Sequence, residues 1–573
     1  MQKWFPLLLC LLASGPVRAQ DTVPAGATAL HLSTYRQKDD LSGWIYAQLQ
    51  WVAAAPSTRY PVLLRAVADA WRPPRGDDEA QAWQDMLVNE GYALLQAGDI
   101  VRSTDAYTSA FQWARGHQDI QDDSLVLENI LKPLGNNYTR LGDYEQALFI
   151  HQKALSIALA LGNNEEIAGT YSNLAAAEGN RGNPEQSLDY CRKGLAMAAR
   201  PSVRGLLLSQ EADAYKALGR VADARSIIQE GLGLLSQSDA RQWLPVAYQQ
   251  AGDIYLDEPA LALSYYRRAW GLRSLMRRRE RAKLYLRLGD LYLETSPPAR
   301  AYPKTSPPAR VRRETGLTAQ PWLDSCLAVL VGGKPLASLQ DSDLYAENTL
   351  VDVLFSLGRV FAARDSVDEA LRCYRLSFSA EKELRNEFIS GPARERAVTE
   401  SRARRETAIE LAWDAWRATG QPKYRQSILE FMESSKAQLL LQEVRQQDQL
   451  ARPDSLHHRI LLLERALVYY GEKKDPRYQQ VQWELETLRK KVRSGAAGQK
   501  GDAANPAADA AATWGDIFTN DKESMRSFFA GAKALYAVEC TRQGIVFADR
   551  ISMTAGWQDN IRQFLTTYFA SGP

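Results

Sequence analysis

Residues 134–158 read LGNNYTRLGDYEQALFIHQKALSIA. Leu134, Tyr138 and Leu141 recur every three to four residues, so they share one face of a helix. Gly142-Asp143 then interrupts the pattern, because glycine tolerates a turn and aspartate caps the helix that follows. A second stripe runs through Ala147, Ile150, Ala154, Leu155 and Ala158. The small residues Gly135, Ala147 and Ala154 leave space for bulky side chains of a neighbouring helix, so two short amphipathic helices can pack closely. Moving forward by 40 residues, Leu174, Gly182, Ser187 and Leu195 stand where Leu134, Gly142, Ala147 and Leu155 stood, and Glu145-Gln146 recurs as Glu185-Gln186. This is an internal repeat, and it sets the architecture.

The same pattern extends in both directions. Gly91, Gly98, Ser103, Tyr107 and Ala110 form a unit before it. Ala175, Gly182, Ser187 and Gly194 form the one after, followed by Ala212, Tyr215, Gly219, Ala224 and Gly231. Gly252, Tyr255, Ala262 and Ala269 make a fifth, with a shortened turn at Pro259, and a sixth opens with Gly289 and Tyr292 before the pattern breaks. Gly358, Phe361, Ala370, Tyr374 and Ser377 mark a further unit, with its turn at Arg364-Asp365. This set of small, aromatic and turn residues resembles the tetratricopeptide repeat (TPR) family, which implies an α-solenoid of helix-turn-helix units. Two departures stand out: a spacing near 40 rather than the family's ~34, and no regular proline closing each unit.

Around the array, 573 residues are too many for one core. A hydrophobic content of 45%, a charged content of 24% and a net charge of +2 are those of an ordinary globular protein and give no case for nucleic acid or an anionic membrane. Five scattered cysteines without a CxxC pair indicate neither zinc nor redox chemistry, only small buried hydrophobes. Lys3, the apolar run Leu7–Ala13 and Val17-Arg18-Ala19 have the form of a secretory leader cleaved after Ala19. No later stretch has the ~18 apolar residues of a spanning helix, so the mature chain is expected to be exported, periplasmic or extracellular. The expected division is a leader at 1–19, a helical cap at 20–85, the TPR array at 86–293 and a Pro-rich loop at 294–320 that carries the duplicated Thr-Ser-Pro-Pro-Ala-Arg. Further repeats at 321–450, long charged helices at 451–493 and an Ala/Gly linker at 494–513 follow, then a tail at 514–573.

The tail changes period. Residues 534–541 and 545–551 are β-rich and joined by Arg542-Gln543-Gly544, which signals a hairpin, and Trp557, Ile561, Phe564, Leu565 and Tyr568 form one apolar helix face. With Glu433-Ser434-Ser435-Lys436-Ala437, Leu439-Leu440-Leu441 and Ser527-Phe528-Phe529 ahead of it, this region resembles the opening of a CHAT domain, a caspase-like module that follows TPR arrays. In that family a His and a Cys after the opening hairpin do the chemistry. Here no histidine follows His458, and Cys540 lies inside a predicted strand, so the dyad maps onto no residue. The tail has too little core to stand alone and is expected to dock weakly or be poorly ordered.

Candidate chemistry is sparse. Gly332-Gly333-Lys334 lacks the first glycine of a phosphate loop and has Pro335 where Ser or Thr should stand. Adjacent His457-His458 point to different sides of a helix, and Arg277–Arg279 and Arg402–Arg405 read as solvated faces. No cofactor and no metal site is expected. On the first helices, Lys132 and Asn136 lie one turn apart and Asn173 sits in the next unit. Resemblance to the TPR family places these three at positions of its carboxylate clamp, which grips a peptide C-terminus, while the third-unit basic position is Leu206 or Gln210 instead. The reading is therefore mainly α: a TPR-type α-solenoid with a short C-terminal α/β fragment, exported, binding a protein or peptide in its groove. The competing class is a caspase-like cysteine peptidase whose catalytic half lies beyond this sequence.

Overall fold

The computed structural model describes residues 32–295, 309–388, 390–434, 455–472, 477–498, 523–541 and 544–552. It divides into two compact units, one of residues 1–356 with 376–390, the other of 357–375 with 391–573. The leader expected at 1–19, the prolines of the duplicated segment, Ser435–Leu441, the linker expected beyond Gly498 and the helix expected at Trp557–Tyr568 lie outside the described residues.

The first unit opens with α1 (Leu32–Gln37), α2 (Leu41–Ala54) and α3 (Pro56–Asp69). Leu41, Trp44, Ile45 and Leu63 bury against Met86 of α4 (Gly76–Ala97), so these helices cover the end of the stack as a cap should. Helix pairs follow. The first is α4 with α5 (Ile100–Gly116). After the short α6 (Asp123–Val126) come α7 (Lys132–Leu141) with α8 (Tyr144–Leu161), then α9 (Asn164–Arg181) with α10 (Pro184–Met197). Next are α11 (Pro201–Ala217) with α12 (Val221–Gln237), α13 (Leu244–Ile254) with α14 (Pro259–Gly271), and α15 (Arg278–Glu294) with α16 (Ala309–Leu330).

The pair turns are built as the sequence suggests. Gly142 ends α7 at φ 94°, a left-handed conformation that a Cβ would strain, and both its N–H and that of Asp143 return to the Tyr138 carbonyl. Asp143 then caps α8 through the Gln146 N–H. Within each pair the two helices touch through a small residue on the first. A Cβ on Gly252 would lie 2.2 Å from the Tyr266 ring, and one on Gly91 would lie 2.9 Å from Tyr107. In the second pair His151 takes the place of the tyrosine, against Gly135.

Two expectations are corrected here. The sixth unit is complete: α16 starts at Ala309, inside the stretch expected to be loop, and Leu323 packs where a Cβ of Gly289 would be 2.4 Å away. Nor are Arg278 and Arg279 solvated; of the run Arg277–Arg279 only Arg277 is exposed. Arg278 donates to the carbonyls of Val329, Leu330 and Ala97, and Arg279 pairs with Glu347 at 2.9 Å and donates to Asn348 and to the Arg140 carbonyl. The start of α15 thus meets the ends of α4 and α7. Contacts this remote in sequence close the first unit on itself, and the buried Asp143 accepts from the Ser390 N–H and hydroxyl at 3.0 and 2.7 Å in the same way.

A last repeat, α17 (Asn348–Ala363) and α18 (Val367–Glu387), is divided between the units. In the second unit, α19 (Gly391–Thr419) and α20 (Pro422–Glu433) pack together, and the helices Ser455–Glu472 and Arg477–Gly498 form a further pair joined by Arg489 and Glu464 at 2.7 Å. The second of these runs into the stretch read as linker. The tail is a sheet of order β1 (Ser524–Ala530), β2 (Ala534–Thr541), β3 (Gly544–Ser552), all antiparallel. The hairpin was expected; β1 was not, because SMRSFFA has little apolar alternation.

The sheet is anchored on α19 and α20. Buried Glu406 of α19 accepts from the N–H groups of Ala532, Lys533 and Ala534 at 2.7, 2.7 and 3.2 Å, and Glu433 accepts from Ser527. Arg402 donates to the Ala530 carbonyl, and Arg405 is 2% exposed and bonded to Ser434, so this basic run is also structural. Cys540, like Cys191, Cys326 and Cys373, is buried and forms no disulfide among the described residues, as a small hydrophobe should.

Candidate functional site

The face formed by successive first helices carries one regular polar row. In each first helix, take the small packed residue as origin: Gly135, Ala175, Ala212, Gly252 and Gly289 in α7, α9, α11, α13 and α15. The residue just after it and the residue two before it are one turn apart and share a face. From the fourth repeat onward these positions bond across helices. Gln250 donates to Asp213 at 2.6 Å, Arg287 grips Asp253 through contacts of 2.8 Å, and Ser356 donates to Asp290 at 2.6 Å. The Tyr266 hydroxyl also donates to Asp253 at 2.6 Å. Burial pushes the Asp213 carboxyl up to about 6, against the hydrogen bond from Gln250.

In the second to fourth repeats the same positions hold Asn136, Asn173 and Gln210, and the row is open. Neither asparagine has a hydrogen-bond partner among the described residues, and the Gln210 Oε1 is buried without one. Local sequence explains this. Where Tyr266 reaches Asp253, the equivalent His151 is too short to reach Asn136 and has no partner for either ring nitrogen. Where Asp213 meets Gln250, Ala176 offers Gln210 nothing. Burial, and then the charge of Lys132, drive the His151 ring down to about 3, so it is neutral at physiological pH.

Lys132 opens α7, directly after a π-turn at Leu127–Leu131. Its ammonium is held by Glu128 of that turn and by Glu166 of α9. Lys132 is thus ion-paired within the chain, whereas Asn136 and Asn173 have no hydrogen-bond partner among the described residues. Burial and a hydrogen bond to Glu166 push the Glu128 carboxyl up, while that bond and Lys132 hold Glu166 low. Lys132, Glu166 and Leu206 line a cavity of about 420 Å³ beside the open row, completed by Arg200, Asp239 and Trp243. Glu166, Asp239 and Trp243 escaped sequence reading, as did the ladder. The ladder's fixed offset from each small residue was the one signal that could have found it.

A helix-turn-helix with a small residue packed under an aromatic ring, a left-handed glycine at the turn and stacked first helices identifies the repeat type. Residues 126–200 match the tetratricopeptide repeat. The fold is a TPR-type α-solenoid. Among solved structures, the Rap protein complexed with competence and sporulation factor is 13% identical, covering 62% of this chain and 91% of its own, with a TM-score of 0.40. The apo quorum sensor NprR from B. thuringiensis is 15% identical, covering 62% and 94%, with a TM-score of 0.39. The human IFIT1 dimer with m7Gppp-AAAA is 15% identical, covering 73% and 87%, with a TM-score of 0.38. No curated protein matches the sequence. Among the described residues no metal-ligating cluster occurs and no helix is long and apolar enough to cross a membrane.

Proposed function

We propose that this TPR scaffold binds an extended peptide segment of a partner protein along the first helices of its second to fourth repeats. The observation that carries the reading is the open row of Asn136, Asn173 and Gln210. Each amide can donate to a carbonyl and accept from an N–H, the two groups of a peptide bond. Adjacent helices lie roughly 10 Å apart, about the length of three extended residues, so successive amides meet every third peptide unit. The Gln210 Oε1 is buried without a partner, and a peptide N–H would satisfy it. A rigid helical surface also lowers the ordering cost of binding.

Selection of random linear displayed peptides on the full chain tests this. Peptides recovered by the native protein should lose binding when Asn136, Asn173 and Gln210 are all replaced by alanine; equal binding by the variant would remove the proposal. Export follows from the leader-like residues 1–19 and is checked by the N-terminal sequence of the secreted product, which should begin at Gln20. The C-terminal sheet is read as CHAT-like on the resemblance of residues 433–441 and 527–545.

A further inference from the structure

The cavity beside the open row has an unbalanced wall. Its two cations are already committed: Lys132 is held by Glu128 and Glu166, and the Arg200 guanidinium donates to Glu165 at 3.2 Å. Glu165 is itself saturated, accepting also from the Ala199 and Arg200 N–H groups at 2.7 and 2.9 Å. Asp239 is different. It is exposed and has no partner among the described residues. Four residues further on, Trp243 is 41% exposed and its ring makes no aromatic or cation contact among the described residues. The cavity floor is bare backbone, because a Cβ on Gly169 would meet nothing within 4 Å.

From this arrangement we propose that the cavity bounded by Glu166, Leu206, Asp239 and Trp243 receives a lysine or arginine side chain of the peptide lying in the adjacent groove. The proposal rests on the peptide-groove reading and deepens it by naming the residue class recognised. A carboxylate with no counter-ion and an open indole face are the two groups that hold a cation, by charge and by the ring quadrupole. Leu206 and Val203 supply apolar surface for the methylene stem. The volume of about 420 Å³ lies within the ~300–1,000 Å³ of ligand clefts and suits one long side chain. A peptide carboxylate is disfavoured at the same place. It would have to displace Glu128 or Glu166 from Lys132, leaving a carboxylate without its counter-ion.

The test uses peptides selected on the full chain. Native protein should enrich Lys or Arg at one fixed position, and replacing that residue by Gln should weaken binding about tenfold, the size of one cation–aromatic contact with its carboxylate. Asp239→Asn and Trp243→Ala should weaken the basic peptide by a similar factor and leave the Gln peptide unaffected. Gly169→Leu fills the cavity from a mid-helix position with open space above it, so the fold is kept; it should block the basic peptide. Recovered peptides with no basic preference, or variants that bind the basic peptide as the native protein does, would overturn the cavity's role while leaving the groove reading intact. Recovery of no peptide at all would overturn both.

Discussion

The two halves of the first-helix row differ by a few residues and behave oppositely. In the later repeats the row is closed by side chains of the chain itself: Asp213 with Gln250, Asp253 with Arg287 and Tyr266, Asp290 with Ser356. In the earlier repeats Asn136, just after its small residue, and Asn173 and Gln210, each two before theirs, bond to nothing described. The closed half spends its polar groups on locking successive repeats together. The open half leaves them unbonded among the described residues. One repeat geometry thus carries bonded polar groups at one end and unbonded ones at the other.

Breaking the closed half should have the largest effect. Arg287→Ala leaves Asp253 with only a tyrosine hydroxyl; a fully buried broken pair costs ~3–5 kcal/mol. Because Arg287 and Asp253 are 31% and 23% exposed, about 2–3 kcal/mol is expected. Hydrogen exchange should show it as lost protection in α13 and α15, and unchanged protection would mean that the ladder does not lock the repeats.

Acid should act next, on the open half. His151 has its folded value lowered to about 3, so the folded state binds fewer protons than the unfolded chain between there and ~6.5. Its stability contribution is complete above ~6.5 and falls away as the pH drops, by about 2 kcal/mol between pH 7 and 5. His151→Phe removes the titrating group, so thermal melting of that variant should fall less with acid than melting of the native protein. Equal slopes would show that His151 is not buried neutral.

The smallest effect sharpens the comparison. Replacing Asn136, Asn173 and Gln210 by alanine together should change melting by less than about 0.5 kcal/mol, the scale of substitutions that break no contact. Gln250→Ala in the closed half should cost about 1 kcal/mol for its lost hydrogen bond to Asp213. A marked loss from the triple variant would mean that the open row has internal partners after all.

Much of this was legible from local pattern. Gly142-Asp143, the small residues and the recurring tyrosines fix helix-turn-helix units, because helix period, turn conformation and close packing are encoded within about 40 residues, the spacing of the repeat itself. Lys132, Asn136 and Asn173 were legible as residues of one face for the same reason. The state of those residues was not. Lys132 is neutralised by Glu166, 34 positions away, and Arg279 reaches the carbonyl of Arg140, 139 positions away. The sixth helix pair was hidden by an insertion that separates its halves in sequence but not in space. Strand β1 was hidden because it is fixed by Glu433 on α20 and by pairing with β2 rather than by its own composition.

By itself, then, the sequence determined the repeat and the face on which binding groups stand, since both follow from periods of three to four residues and from turn chemistry. The tertiary structure decided which polar groups are already bonded to each other, which lie open, and where a cavity forms beside them. Those outcomes depend on distances between residues of different repeats, and no local period carries that information.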